Sequence, residues 1–108
     1  MKKKKSHVLA GLVLATGTVG LAASAQAADP AVGQAHYEST CVACHGPKGI
    51  SVAPIYPNLA GQKEQYLITV LKEYRDGTRT NPIMAPMAKG LSDTDIGNLA
   101  AYLSRIRN

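Results

Sequence analysis

The sequence is poor in large aromatic side chains. Its 108 residues include no Trp, no Phe and five Tyr. A chain of this length allows one small domain, and a core without these side chains supplies only about a few kcal/mol by itself. The composition therefore indicates a small domain that needs a covalent staple or a bound cofactor.

The sequence also has little excess of positive charge outside its first five residues. It carries 12 Lys and Arg against 7 Asp and Glu, and four of the lysines form the run Lys2–Lys5. When that run is taken away, eight basic residues remain against seven acidic ones, a net charge of +1. This balance leaves no basic patch and disfavours nucleic acid as a partner.

The first quarter of the chain has the layout of a secretory signal peptide. Lys2–Lys5 precedes an uncharged apolar run at 8–21, and residues 25–27 supply an A-x-A cleavage site. We predict a cleaved leader over 1–27 and an exported, periplasmic domain over 28–108. An uncleaved leader acting as a membrane anchor is the alternative, although the apolar run is short for a span and contains poor helix formers.

Alternating strand patterns are absent, and three segments carry helical signals. The pair Asp29-Pro30 predicts the start of a helix over Ala31–Thr40. Apolar residues at helical spacing predict a second helix over Gln62–Arg75. Ser92, followed by acidic residues, predicts the N-cap of a third helix. The predicted fold class is all-α.

Two stretches between these helices are rich in Gly and Pro. Residues 46–61 and 78–90 therefore predict loops. Gly77 stands where a glycine in the left-handed conformation would end the second helix.

The two cysteines of the chain lie close together and are followed by a histidine. Cys41 and Cys44 are separated by two residues, and His45 comes directly after them. This spacing is the pattern of covalent haem attachment. Each thiol adds to one haem vinyl group to form a thioether, and His45 is then held against the iron as its proximal ligand. Covalent attachment keeps the cofactor on a domain too small to bury it fully.

Three other interpretations of the cysteine pair fit less well. A zinc site needs about four N or S ligands, and beyond the motif the domain offers only His36. A thioredoxin-like redox pair would lie in a βαβ context, which is missing. A disulfide across two residues would be strained and would leave His45 unexplained.

Several features of the domain occur in the order known from one family. They are the motif Cys41–Gly46, the residues Gly33 and Tyr37 before it, the segment Pro57–Gly61, the segment Leu91–Asp93, and the pair Leu99 and Tyr102. In this combination the domain resembles class I cytochrome c, in particular the small monohaem branch of the bacterial periplasm. The resemblance covers the domain nearly from end to end.

The resemblance implies about three main helices, with loops, wrapped around one covalently bound haem. It implies that the Pro57 carbonyl accepts the Nδ1–H of His45, which fixes the tautomer of a ligating histidine. It also implies that the distal iron ligand lies seven residues before Leu91, which is Met84. Met87 is the fallback ligand and is otherwise expected to pack against the haem or the core.

The resemblance further implies that Gly33 and Tyr37 pack against Leu99 and Tyr102, and that His36 faces solvent. Side chains that could contact the haem propionates or tune the methionine are Tyr56, Tyr66, Arg75, Arg79 and Asn81. Each of these is as easily a surface charge or a core tyrosine. Residues that could form an apolar rim at the haem edge are Val42, Ala43, Ile55, Ile83, Ala85 and Pro86.

A haem with both axial positions filled leaves no site for substrate, so we expect one-electron transfer and not catalysis. The expected partners are redox proteins that donate and accept electrons in a respiratory chain. Membrane contact is expected only through such partners or an uncleaved leader, and the protein is expected to be a monomer. Two alternatives stay open. One is a haem subunit permanently bound to a dehydrogenase or oxidase complex, and the other is a gas-binding or peroxidatic haem with an open distal side.

Overall fold

The domain consists of α-helices connected by loops. The computed structural model describes residues 2–5, 8, 10–17 and 27–107. In these ranges the helices are α1 (Pro30–Thr40), α2 (Val42–His45), α3 (Glu64–Asp76), α4 (Met84–Ala88) and α5 (Asp93–Arg105), with a 3-10 turn at Pro47–Gly49 and no strand. The predicted all-α class is confirmed.

Most of the cleavage site of the predicted leader, and part of its apolar run, fall outside the described ranges. The predicted cleavage site includes residues 25 and 26, and the apolar run includes residues 18–21, none of which the structure describes. Among the residues that it does describe, no helix has the length and apolar character needed to cross a membrane.

The ends of the long helices coincide with the capping signals in the sequence. Asp29 Oδ1 accepts the Ala31 N–H at 2.9 Å, and α1 begins with Pro30. Gly77 ends α3 in the left-handed conformation, with a φ of 85°. Ser92 caps α5 as predicted. The predicted helices therefore agree with the observed ones to within two residues.

The prediction that 78–90 is wholly a loop is wrong, because Met84–Ala88 forms the short helix α4. Pro86 is the third residue of this helix. The first N–H groups of a helix have no intrahelical partner, so a proline in the first turn removes nothing that the helix uses. The prolines therefore mark the start of a helix here and do not exclude one.

Helix α1 crosses α5 with their backbones in contact. A Cβ atom on Gly33 would lie 1.9 Å from the Asn98 carbonyl oxygen, so only glycine fits this crossing. Tyr37 is fully buried, and its ring centroid lies 5.6 Å from that of Tyr102. The expected packing of Gly33 and Tyr37 on the last helix is present.

The core lies where α1, α3 and α5 meet. Its buried residues are Tyr37, Leu67, Leu99, Ala100 and Leu103. Cys41 and Val42 pack against this cluster from the junction of α1 and α2. The cysteine motif is therefore attached to the most closely packed part of the domain.

Candidate haem site

The cysteine motif occupies a single helical turn that continues from α1. Cys41 ends α1 and begins α2, and its N–H donates to the Tyr37 carbonyl at 2.8 Å. The His45 N–H donates to the Cys41 carbonyl at 2.9 Å. Residues three apart on a helix are neighbours on one face. The sulfur atoms of Cys41 and Cys44 therefore belong to the same side of this turn.

Both thiols are free and half-buried. Burial raises the pKa of the Cys41 thiol, and the neighbouring Cys44 raises it further. The Cys41 sulfur thus keeps its proton at neutral pH. Hydrogen bonding to Cys44 raises the pKa of the Tyr56 phenol.

His45 is buried, with 6% of its surface exposed, and its ring is held from the loop that follows. Its Nδ1 lies 2.9 Å from the Pro57 carbonyl oxygen. Because a carbonyl oxygen only accepts, Nδ1 carries the proton and Nε2 keeps the free lone pair. The Tyr56 ring meets the imidazole edge-on, with the centroids 6.3 Å apart. Within the described residues, the Pro57 contact is the only hydrogen bond of the His45 side chain.

The loop that carries Pro57 is tied to the motif through backbone hydrogen bonds. The Leu59 and Ala60 N–H groups both donate to the Gly49 carbonyl, at 2.8 and 3.1 Å. On the other side of the motif, the buried Tyr37 hydroxyl donates to the Gly46 carbonyl at 2.6 Å. These bonds fix the position of the loop relative to the histidine ring.

The two candidate distal methionines lie on α4 and differ in exposure. Met84 is the first residue of α4 and is half-buried, whereas 45% of the Met87 surface is exposed. Helix α4 packs against α3. Of the two thioethers, that of Met84 is therefore the more enclosed.

The two arginines suggested as propionate donors are engaged elsewhere. Arg75 pairs with Asp93 at 2.7 Å, and Arg79 pairs with Glu73 at 3.0 Å. Arg75 also donates to the Leu91 carbonyl at 3.4 Å, which links α3 to the start of α5. Arg75 joins α3 to the start of α5, Arg79 joins the loop after α3 to that helix, and both guanidinium groups are already paired with carboxylates of the protein.

His36 lies on α1 and is half-buried, so it does not face solvent as fully as predicted. The hydrogen bond from the Ser92 backbone is the largest cause that lowers the pKa of Asp95, and His36 is a minor cause. The structure thus places His36 against the start of α5.

Large apolar side chains are exposed in the loop that carries Pro57 and in the loop that precedes α4. The exposed fractions are 86% for Val52, 77% for Ile55 and 47% for Ile83. In the suggested rim, Ala43, Ile55, Ile83 and Pro86 are exposed, and Val42 and Ala85 are half-buried. A flat apolar cofactor held between these loops would cover part of this surface.

The donor set fits haem c. Two free thiols on one turn, a histidine whose Nε2 is available and a half-buried thioether match what this cofactor requires. A bare metal ion fits less well, since the described residues contain no group of three or more His, Cys, Asp or Glu that could hold one.

Comparison with known proteins gives the same class. The Cytochrome c family model matches residues 30–107. Cytochrome c-554(548) of Halomonas halodenitrificans is 57% identical over 68 residues, which are 60% of this chain and 82% of that protein. Cytochrome c4 of Pseudomonas aeruginosa is 43% identical over 99 residues, which are 92% of this chain and 48% of that protein.

A solved structure agrees with these relatives. Cytochrome c4 of Acidithiobacillus ferrooxidans superposes with a TM-score of 0.67 at 32% identity, over 77% of this chain and 53% of that one. The chain thus spans about half the length of the cytochromes c4 that it matches.

A helical domain with a Cys-x-x-Cys-His turn and a buried, oriented histidine defines a c-type haem protein. The chain belongs to the cytochrome c family. It is accordingly an electron-transfer protein that carries covalently bound haem c, and it is not an enzyme. The predictions of family, fold and cofactor type are confirmed.

Two features of the site were not predicted from the sequence. The Tyr37 hydroxyl reaches the Gly46 carbonyl, although only the ring of Tyr37 was assigned a packing role. The Asn81 side chain accepts two backbone N–H groups at the start of α4. The dipeptide Asn81-Pro82 is a turn signal that could have pointed to the second feature.

Proposed function

We propose that the domain over 28–108 is a periplasmic one-electron carrier with one haem c. In this proposal Cys41 and Cys44 would form the thioethers, and His45 and Met84 would be the two protein ligands of the iron. The observation that carries it is the 2.9 Å contact between His45 Nδ1 and the Pro57 carbonyl. That contact leaves Nε2 as the nitrogen for a metal and holds the ring in one orientation.

Each residue of the site then has a defined task. The Cys41 and Cys44 thiols each add across a vinyl group, with sulfur bonding to one carbon and hydrogen to the other, so no oxidant is needed. The Pro57 carbonyl accepts a hydrogen bond from the His45 Nδ1–H, which would make Nε2 a better electron-pair donor to a metal. The neutral, soft thioether of Met84 favours ferrous iron and raises the reduction potential.

When bound, the haem supplies an iron that alternates between the ferrous and ferric states. The chain contributes two ligands that stay in place in both states, which keeps the rearrangement during electron transfer small. The enclosure of Met84 supports its choice over Met87, which is 45% exposed.

Export and processing are supported by the sequence of the leader. The order of a basic segment, an apolar run and an A-x-A site predicts removal of 1–27. A domain released in this way would carry a net charge of only +1. We propose that it then exchanges electrons with donor and acceptor proteins as a monomer. Its docking face would include the part of the Val52, Ile55 and Ile83 surface that the haem leaves uncovered.

Similarity to 14% of a solved thiosulfate dehydrogenase chain from Marichromatium purpuratum, with a TM-score of 0.58 and 32% identity over 62% of this chain, favours one second candidate, a haem subunit that stays bound to a larger redox complex. In that case the same exposed apolar side chains would lie in a permanent interface. The two functions differ in what the protein binds and not in the chemistry of the haem.

A redox titration of the purified holoprotein, combined with its intact mass, tests the proposal. We expect the mass of the mature chain plus one haem, a reversible one-electron transition, and no binding of carbon monoxide to the ferrous form. Carbon monoxide binding would contradict the closed site and favour the gas-binding alternative. A monomer in size-exclusion chromatography supports the free carrier, whereas stable co-elution with a dehydrogenase or oxidase from the source cells would overturn it.

A further inference from the structure

The segment before α4 is organised by the side chain and carbonyl of one residue. Asn81 Oδ1 accepts the N–H groups of Ile83 and Met84, each at 2.9 Å. The Asn81 carbonyl accepts the N–H of Ala85 at 3.0 Å. Pro82 has no N–H to offer. Asn81 therefore satisfies the N–H groups of the three consecutive residues at the start of this helix.

Helix α4 depends on such support because it is very short. It has five residues, and an isolated helix of this length is not stable in water. Its first N–H groups need partners outside the helix. The residue at its N-cap position, Ile83, has no side-chain oxygen to provide one. Within the described residues, the Asn81 side chain is the only one that caps α4.

One of the three supported residues is the proposed distal ligand. The bond from the Met84 N–H fixes the backbone at the very residue whose thioether must reach the iron. We propose that Asn81 is a positioning residue for the distal ligand. This inference rests on the proposed ligation by Met84. Asn81 acts through the backbone of Met84 and does not itself touch the iron.

Displacement of the methionine by added imidazole in the ferric holoprotein tests this role. The sulfur-to-iron charge-transfer band disappears as imidazole replaces the thioether, so its loss measures how firmly Met84 is held. Removing an N-cap acceptor costs about 1 kcal/mol. For Asn81→Ala we expect imidazole to bind about fivefold more tightly, which is that energy converted at about 1.4 kcal/mol per tenfold.

Two further variants, Asn81→Asp and Asn81→Gln, distinguish the acceptor role of the Asn81 oxygen from a role of its amide nitrogen. Aspartate keeps the acceptor oxygen in place, so its imidazole affinity should stay within about twofold of the unmodified protein. Glutamine keeps the amide group but moves it by one methylene, so it should behave like Asn81→Ala. It also replaces Asn81→Ala in the test if that variant does not load haem. If aspartate weakens the ligand as much as alanine does, the amide nitrogen is what matters and the proposal is wrong.

Ser92→Ala is the matched control, because it removes a side-chain cap from α5 instead of α4. It should lower thermal stability and leave imidazole affinity unchanged. An equal shift in Ser92→Ala and Asn81→Ala, or no shift in Asn81→Ala, would overturn the positioning role. Failure of the ligand assignment itself is seen separately, as retention of the sulfur-to-iron band in Met84→Ala.

Discussion

At Gly33, where α1 crosses α5, the fold has no room for a side chain. A Cβ atom there would overlap the Asn98 carbonyl oxygen, which is backbone and has no rotamer with which to move away. We expect Gly33→Ala to lower the free energy of unfolding by about 2 kcal/mol or more and the melting temperature by about 10 °C. Thermal unfolding of the holoprotein measures this. Gly90→Ala is the control, since a Cβ at Gly90 meets no atom within 4 Å, and equal melting of the two variants would contradict the close crossing.

Single residues were predictable where the chemistry is local. Cys41, Cys44 and His45 lie within five residues of each other, so their spacing alone predicts a covalently bound haem. The partner of Arg75 was not predictable in this way. It pairs with Asp93, 18 residues away, and only the packing of α3 against the start of α5 brings them together.

At the scale of elements, the capping box of α5 yields a pH-dependent prediction. The Ser92 N–H donates to the Asp95 carboxylate at 2.9 Å, and the Asp95 N–H donates to the Ser92 hydroxyl at 3.0 Å. The bond from the Ser92 backbone is the largest cause that lowers the pKa of Asp95 below its ordinary value. The folded pKa lies below the unfolded one, so the carboxylate stabilises the fold fully above the unfolded pKa. That stabilisation is lost as the pH falls through the folded value.

We therefore expect Asp95→Asn to lower the free energy of unfolding by about 0.5–1 kcal/mol near pH 7. The difference from the unmodified protein should shrink as the pH falls through the lowered folded pKa of Asp95, because protonation then removes the same interaction. Denaturant unfolding at a series of pH values checks this. Glu64→Gln is the control, since that carboxylate accepts no hydrogen bond within the described residues. A difference that stays constant across the whole acid range would show that the carboxylate charge does not contribute.

Helix ends were predictable where the capping residue lies next to its own helix. Helix α4 was not predicted. Asp29, Gly77 and Ser92 each act on their own helix within a few residues, so the sequence displays them. Pro82 and Pro86 indicated a break, yet Pro86 lies in the first turn of α4, where its missing N–H is harmless. What forms this helix is the reach of the Asn81 side chain and packing on α3, and composition does not contain that geometry.

At the scale of the whole molecule, the predicted leader leads to a prediction about where the protein works. We predict that the exported protein begins at Ala28, which N-terminal sequencing and intact mass of the periplasmic fraction would show. Replacing Ala25 by Leu should block cleavage, because the A-x-A site requires small residues. A haem-containing chain that keeps residues 1–27 and sediments with membranes would contradict the prediction and support the anchor.

The residues from Gly33 to Tyr102 match the family's features in their order, and this made both the family and the all-α fold predictable. The arrangement of the two loops at the haem was less accessible, since it depends on tertiary hydrogen bonds such as that between His45 and Pro57. The resemblance pointed to that bond, and residue patterns alone did not.

The central claim is a haem closed by His45 and Met84, and the absorption spectrum of two oxidised variants tests it most directly. The thioether on ferric iron gives a weak sulfur-to-iron charge-transfer band. We predict that Met84→Ala loses this band and that Met87→Ala, changed three residues further along the same short helix, keeps it. Retention of the band in Met84→Ala, with its loss in Met87→Ala, would contradict the account.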